Sequence, residues 1–180
     1  DIGLDMDEDE FLGSAPDMGA YEYGCTAEVG DLNDDGMYNV LDIVILANCI
    51  LAENCLSLEH GCAADLNDDG IHNVLDIVIL ANCVLAENCN SRIDDATEAQ
   101  IIIQDNMVTI EADGFIGGVQ MTLTHADNFN IQMSDRAFSG TGYLTTDNKT
   151  RLLVITPETD ELFSFNGDFE IVEVIVANSY

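Results

Sequence analysis

The hexapeptide D-L-N-D-D-G occurs twice, at Asp31–Gly36 and Asp65–Gly70, and after two variable residues each copy runs into N-V-L-D-I-V-I-L-A-N-C. Aligned at an offset of 34, Asp31–Cys55 and Asp65–Cys89 agree at 22 of 25 positions; the differences are Met37/Ile71, Tyr38/His72 and Ile50/Val84. Such a repeat means two copies of one structural unit, and two are too few for a solenoid. Whatever fold the chain adopts must therefore house two equivalent acidic turns, each feeding a strongly apolar segment.

Read as a twelve-residue loop, each copy places oxygen-bearing side chains at positions 1, 3, 5, 9 and 12: Asp31, Asn33, Asp35, Asn39 and Asp42 in the first, Asp65, Asn67, Asp69, Asn73 and Asp76 in the second. Calcium takes six to eight oxygens, and alternate residues of a tight turn can point inward to supply them. Gly36 and Gly70 sit at position 6, where a sharp bend requires positive φ. Met37 and Ile71, at position 7, would offer backbone carbonyls and need no particular side chain. The expectation is two Ca²⁺ ions, one per loop. An Asp/Asn/Gly surface turn is the plain alternative, and two fully populated copies weigh against it.

Charge agrees with this reading. The 180 residues hold 35 Asp and Glu against 4 Lys and Arg, a net −31. Nucleic acid and anionic membrane surfaces need clustered cations and are excluded as partners. No apolar run reaches the ~18 residues that span a bilayer, so membrane insertion is not expected. No signal peptide is visible and the first residue is not Met, which reads as a processed product or a piece of a longer secreted protein. The six cysteines, Cys25, Cys49, Cys55, Cys62, Cys83 and Cys89, cluster in the repeat region without a C-x-x-C. They read as three disulfides from an oxidising, extracellular or cell-surface setting rather than as zinc ligands.

The lead-in segments Y-E-Y-G-C-T-A-E-V-G and L-S-L-E-H-G-C-A-A carry glycine and no apolar helical face, so each unit is a loop plus its exiting helix. With Asp at position 12 and a spacing in the thirties, residues ~25–90 resemble the type I dockerin module. The resemblance implies two antiparallel helices with pseudo-twofold symmetry, one Ca²⁺ per loop, and a non-catalytic docking role, commonly against a β-sandwich cohesin. Dockerins of cellulosomes often carry small polar recognition residues at positions 10 and 11. Here these are Val40–Leu41 and Val74–Leu75, which favours a permanent apolar contact, within the chain or with a neighbouring copy. The antiparallel helices favour Cys49–Cys62 and Cys25–Cys83, leaving Cys55–Cys89; pairing within each unit, Cys25–Cys55 and Cys62–Cys89, competes.

From about Ala99 cysteine stops and period-two alternation begins. Val108, Ile110 and Ala112 share a face; Val119, Met121 and Leu123 point in, with Gln120, Thr122 and Thr124 out; Leu152–Ile155 is apolar on both faces, as in a central strand. Phe163 and Phe165 alternate, and E-I-V-E-V-I-V follows. Turns fall at Ala112–Gly114, Asp147–Asn148 and Asn166–Gly167. This predicts an antiparallel β-sandwich, whose order of segments resembles a short cohesin-like domain. His60 and His125 are lone histidines, the Glu158–Asp160–Glu161 cluster reads as a solvated loop, and Asn148-Lys149-Thr150 fits a glycosylation sequon. No catalytic set emerges.

The expected organisation is α+β and multidomain: an acidic arm over residues 1–24, the double calcium unit over 25–97, and the sandwich over 98–180. Within the arm, G-S-A-P-D-M-G-A-Y-E-Y resembles the closing turn of secreted parallel β-helix proteins, so the arm reads as the tail of an upstream domain or as a linker. The expected function is a non-enzymatic extracellular assembly module, with a protein partner and homo-oligomers or filaments as further outcomes. The alternative is an accessory, carbohydrate-binding part of a secreted polysaccharide-degrading enzyme, against which the chain has no Trp.

Overall fold

The computed structural model describes residues 27–85, 95–134 and 141–178; the N-terminal arm, Cys25 and Cys89 lie outside them. Two helices come first, α1 (Val40–Leu51) and α2 (Val74–Leu85), separated by short 3₁₀ turns at Cys55–Ser57 and Gly61–Ala64. Eight strands follow: β1 (Ala99–Gln104), β2 (Met107–Ala112), β3 (Gly118–His125), β4 (Asn130–Met133), β5 (Gly142–Thr146), β6 (Lys149–Ile155), β7 (Glu161–Asn166) and β8 (Phe169–Ala177). They form two four-stranded sheets, ordered β1-β2-β7-β4 and β5-β6-β3-β8, with antiparallel pairing throughout. The fold is α+β.

The helices start where the loops stop, for a local reason. Asn39 caps α1, its side chain accepting from Leu41 N at 2.8 Å, while Asp42 reaches back to Asn39 N at 2.9 Å. Asn73 and Asp76 repeat both bonds at the head of α2, at the same lengths. This capping box satisfies N–H groups that a helix start leaves unpaired. It offsets the poor helix propensity of the β-branched segment behind it.

Strand alternation builds the interior between the sheets. Val108, Ile110, Val119, Met121, Leu123, Leu152, Val154 and Phe163 are buried there. The expected turns join β5 to β6 and β7 to β8, and Asp147 and Gly167 have positive φ. Two strands without a clear sequence signature, β1 and β5, lie at sheet edges.

A second core lies on the opposite face of the β5-β6-β3-β8 sheet. Ile43, Leu46 and Ile50 of α1 and Ile77, Val78 and Leu80 of α2 cluster there with Leu153, Ile155 and Ala177. Gln120 and Thr122, read as outward-facing in the sequence, are 2% and 3% exposed. They do face away from the sandwich interior, but the helices lie over that face. Gly117 and Gly118 permit the approach: a Cβ on Gly117 would stand 2.4 Å from Val78 Cγ1, and one on Gly118 2.6 Å from Val74 Cγ2. The Gln120 side chain accepts from Val74 N at 3.2 Å, another N–H of the first helical turn. At the far end of α1, Arg151 of β6 donates to the Ile50 carbonyl at 3.0 Å and pairs with Glu53. A guanidinium at a helix C-terminus meets both its orphan carbonyls and its negative dipole end.

The disulfide preference needs correction. Cys49 bonds Cys55, which rules out Cys49–Cys62, Cys55–Cys89 and Cys25–Cys55. The error was to match helix ends across the pair. The turn after α1 instead folds back on its own helix, with Asn54 N donating to Cys49 O at 3.0 Å, bringing the two Cα atoms to 4.7 Å. Cys62 and Cys83 are also disulfide-bonded.

Candidate metal centres

In each loop the backbone wraps around its first acid. The Asp31 carboxylate accepts from Asp35 N at 3.2 Å and Gly36 N at 2.8 Å; Asp65 accepts from Asp69 N and Gly70 N at the same two distances. Gly36 and Gly70 have φ of +79° and +78°, and nothing stands within 4 Å of where a Cβ would be. Glycine is thus required by the bend and not by crowding. Positions 3 and 5 lie side by side: Asn33 Nδ2 donates to Asp35 Oδ2, and Asn67 Nδ2 to Asp69 Oδ2, both at 2.9 Å. Asn39 Nδ2 approaches Asp35 Oδ2 at 3.5 Å and the Met37 carbonyl at 3.3 Å. Asp42 closes the ring by accepting from Leu32 N at 3.0 Å, and Asp76 from Leu66 N at 2.8 Å.

The charge balance of these turns is unusual. Asp42 and Asp76 are 0% exposed and Asp31 is 2% exposed. Among the described residues the ion pairs run from Lys149 and Arg151 to Glu53, and none reaches a loop carboxylate. Burial pushes the Asp76 carboxyl above its ordinary value, against backbone N–H bonds from Asn73, Leu66 and Asn67 that favour its charged form, with Asp65 adding repulsion. A buried carboxylate without a cationic partner is costly, and a divalent cation is the partner this donor set fits. Among the described residues no three His, Cys, Asp or Glu side chains converge tightly enough to hold an ion unaided. The loops supply a mixture of carboxylate, amide and backbone carbonyl oxygen, which suits a hard cation of high coordination number. The positions that would hold it are Asp31, Asn33, Asp35, Met37, Asn39 and Asp42, and Asp65, Asn67, Asp69, Ile71, Asn73 and Asp76.

Residues 29–85 match the family model of the dockerin type I domain. This segment is a type I dockerin-like domain. Dockerin domains are calcium-binding, non-catalytic modules of protein–protein assembly, found in secreted and cell-surface proteins, and the domain here implies a cohesin-type protein partner. The two sheets that follow it are consistent with a cohesin-like β-sandwich. Comparison with curated proteins and with solved structures gives no match. Among the described residues no helix is long and apolar enough to cross a membrane.

The other singled-out residues have structural surroundings. His125 stacks on Phe129 with ring centroids 4.4 Å apart, and its Nε2 lies 2.8 Å from Thr150 Oγ1. In the sequon, the Asn148 amide donates to His125 O and Asp127 Oδ1, at 2.8 and 3.0 Å, and Thr150 is buried. The residues that sequence reasoning passed over are Gly117, Gly118 and Arg151, which meet the dockerin-like helices, and Glu53, which pairs with Arg151 just past α1. The G-G dipeptide ahead of an alternating strand was the available signal for close backbone approach.

Proposed function

We propose that the chain is a calcium-stabilised, non-catalytic extracellular module in which the dockerin-like domain uses its own sandwich as a permanent docking partner. One Ca²⁺ per loop, held by the twelve positions named above, neutralises the buried acids and fixes the heads of α1 and α2. The helices then stand ready to cover the outer face of the β5-β6-β3-β8 sheet. The division at about residues 25–97 and 98–180 belongs to this reading, as does a role in anchoring or assembly. Its main support is the fit of Val74 and Val78 onto the Gly117–Gly118 ledge, where Val74 stands at one of the positions that carry polar recognition residues in cellulosome dockerins. Calcium supplies charge neutralisation and cross-linking of the loop; the caps, the ledge and the Arg151 clamp come from the protein.

Thermal unfolding in calcium and in excess chelator tests the reading. A site saturated a thousandfold over its dissociation constant contributes about 4 kcal/mol of stability, so chelation should lower the melting temperature sharply and reduce helical circular dichroism. An unchanged melt would overturn the reading.

A further inference from the structure

Among the described residues, β1 is the outermost strand of its sheet and pairs with β2 alone. Its sequence is A-Q-I-I-I-Q, without charge or proline, and Ile103 is 50% exposed. A long, flat, apolar edge usually carries a lysine, a proline or a bulge that prevents pairing with another chain. None of these is present in β1. The other edges differ: β8 carries Glu170 and Glu173 and a register shift beside Thr122, β4 is short, and β5 begins with glycine and holds a single aliphatic residue.

We propose that β1 is a homodimer interface, pairing antiparallel with β1 of a second copy about a twofold axis at Ile102. The register is favoured by the sequence itself, because Gln100-Ile101-Ile102-Ile103-Gln104 reads the same in both directions. Centred on Ile102, Gln100 faces Gln104 of the other copy and Ile101 faces Ile103. At the rims Glu98 faces Asn106 and Asp105 faces Ala99. No acid faces an acid, which matters in a chain of net charge −31, since like charges directly opposite are destabilising.

The hydrogen bonds agree with that register. The two-residue turn at Asp105–Asn106 closes on Gln104 and Met107, and Asp113 N donates to Glu98 O. By alternation Gln100, Ile102 and Gln104 spend their backbone groups on β2, leaving those of Ala99, Ile101 and Ile103 directed outward. A twofold axis at Ile102 pairs Ile101 with Ile103, so outward groups meet outward groups. The exposed Ile103 side chain then lies beside Ile101 of the other copy, extending the sandwich core across the interface. An isologous contact of this kind closes at a dimer. The inference does not depend on calcium or on the docking reading.

Sedimentation equilibrium of the full chain in calcium, from micromolar to millimolar protein, tests it. The expected result is a monomer–dimer equilibrium that tightens with added salt, as screening weakens the acidic self-repulsion. Ile103→Lys should leave helical signal and melting temperature near wild type while weakening dimerisation at least tenfold. Ile102→Cys should form a covalent dimer on mild oxidation, because non-hydrogen-bonded partners bring Cα atoms to about 4.5 Å. Gln104→Cys alone should not, but mixed with Gln100→Cys it should. A monomer at every concentration, a dimer indifferent to Ile103→Lys, or cross-linking equally efficient at Gln104 alone would each overturn the proposal.

Discussion

The two repeat units agree at 22 of 25 positions, yet they meet different surroundings. In the second, Val74 is 0% exposed, lying against the Gly118 backbone. In the first, the matching Val40 is 41% exposed and Leu41 52%. The loops themselves scarcely differ: the same acids accept from the same N–H groups, and Asp34 and Asp68 take nearly equal φ of 55° and 58°. Local sequence therefore decides the loop, its cap and the helix start. Tertiary context decides which copy of an apolar face is covered.

This contrast predicts a ranking of effects. The largest belongs to the ledge. Gly118→Val should force α2 off the sheet, because even a Cβ there would stand 2.6 Å from Val74 Cγ2. Loss of several kcal/mol, measured by urea unfolding, is expected; a melt within a degree of wild type would show that the helices do not need this face. Next comes a matched pair. Val74→Ala removes most of a fully buried side chain and should cost about 1–3 kcal/mol, whereas Val40→Ala, at an exposed position, should stay within about 0.5 kcal/mol. Equal costs would erase the distinction between the units.

Arg151→Ala should cost about 1–2 kcal/mol, since it removes the bond to the Ile50 carbonyl and the partly buried pairing with Glu53. The smallest effect serves as a control outside both units. The Thr97 hydroxyl and the Glu98 and Thr97 N–H groups hold the Asp113 carboxyl down at about 2, below its ordinary 3.8. Its contribution is therefore complete above the unfolded value and is lost as pH falls through about 2. Asp113→Asn should flatten that acid limb in pH-dependent melts while leaving calcium dependence untouched. A shift in calcium dependence would mean the sandwich and the loops are not separate in this respect.

Much of this was legible in the residues. The repeated twelve-residue loop specified bend, cap and candidate ligands, because each depends on groups within that stretch. The apolar runs marked α1 and α2, and Val119, Met121 and Leu123 marked the inner face of β3. Gln120 and Thr122 were misleading, because a polar alternation is also what a sheet shows when another element lies over its polar side. The disulfide was not legible, because six cysteines allow 15 pairings and the fold-back after α1 leaves no periodic trace. The Arg151 clamp joins residues about a hundred positions apart in the sequence, beyond any local pattern.

Calorimetric titration of the chelator-stripped chain with calcium, repeated on Asp35→Ala and Asp69→Ala, tests the central claim most directly. Two equivalent loops predict two ions for the wild type, one for each single variant, and none for the double variant. Heats that show no binding, or a single ion whose site is lost with only one of the variants, would contradict it.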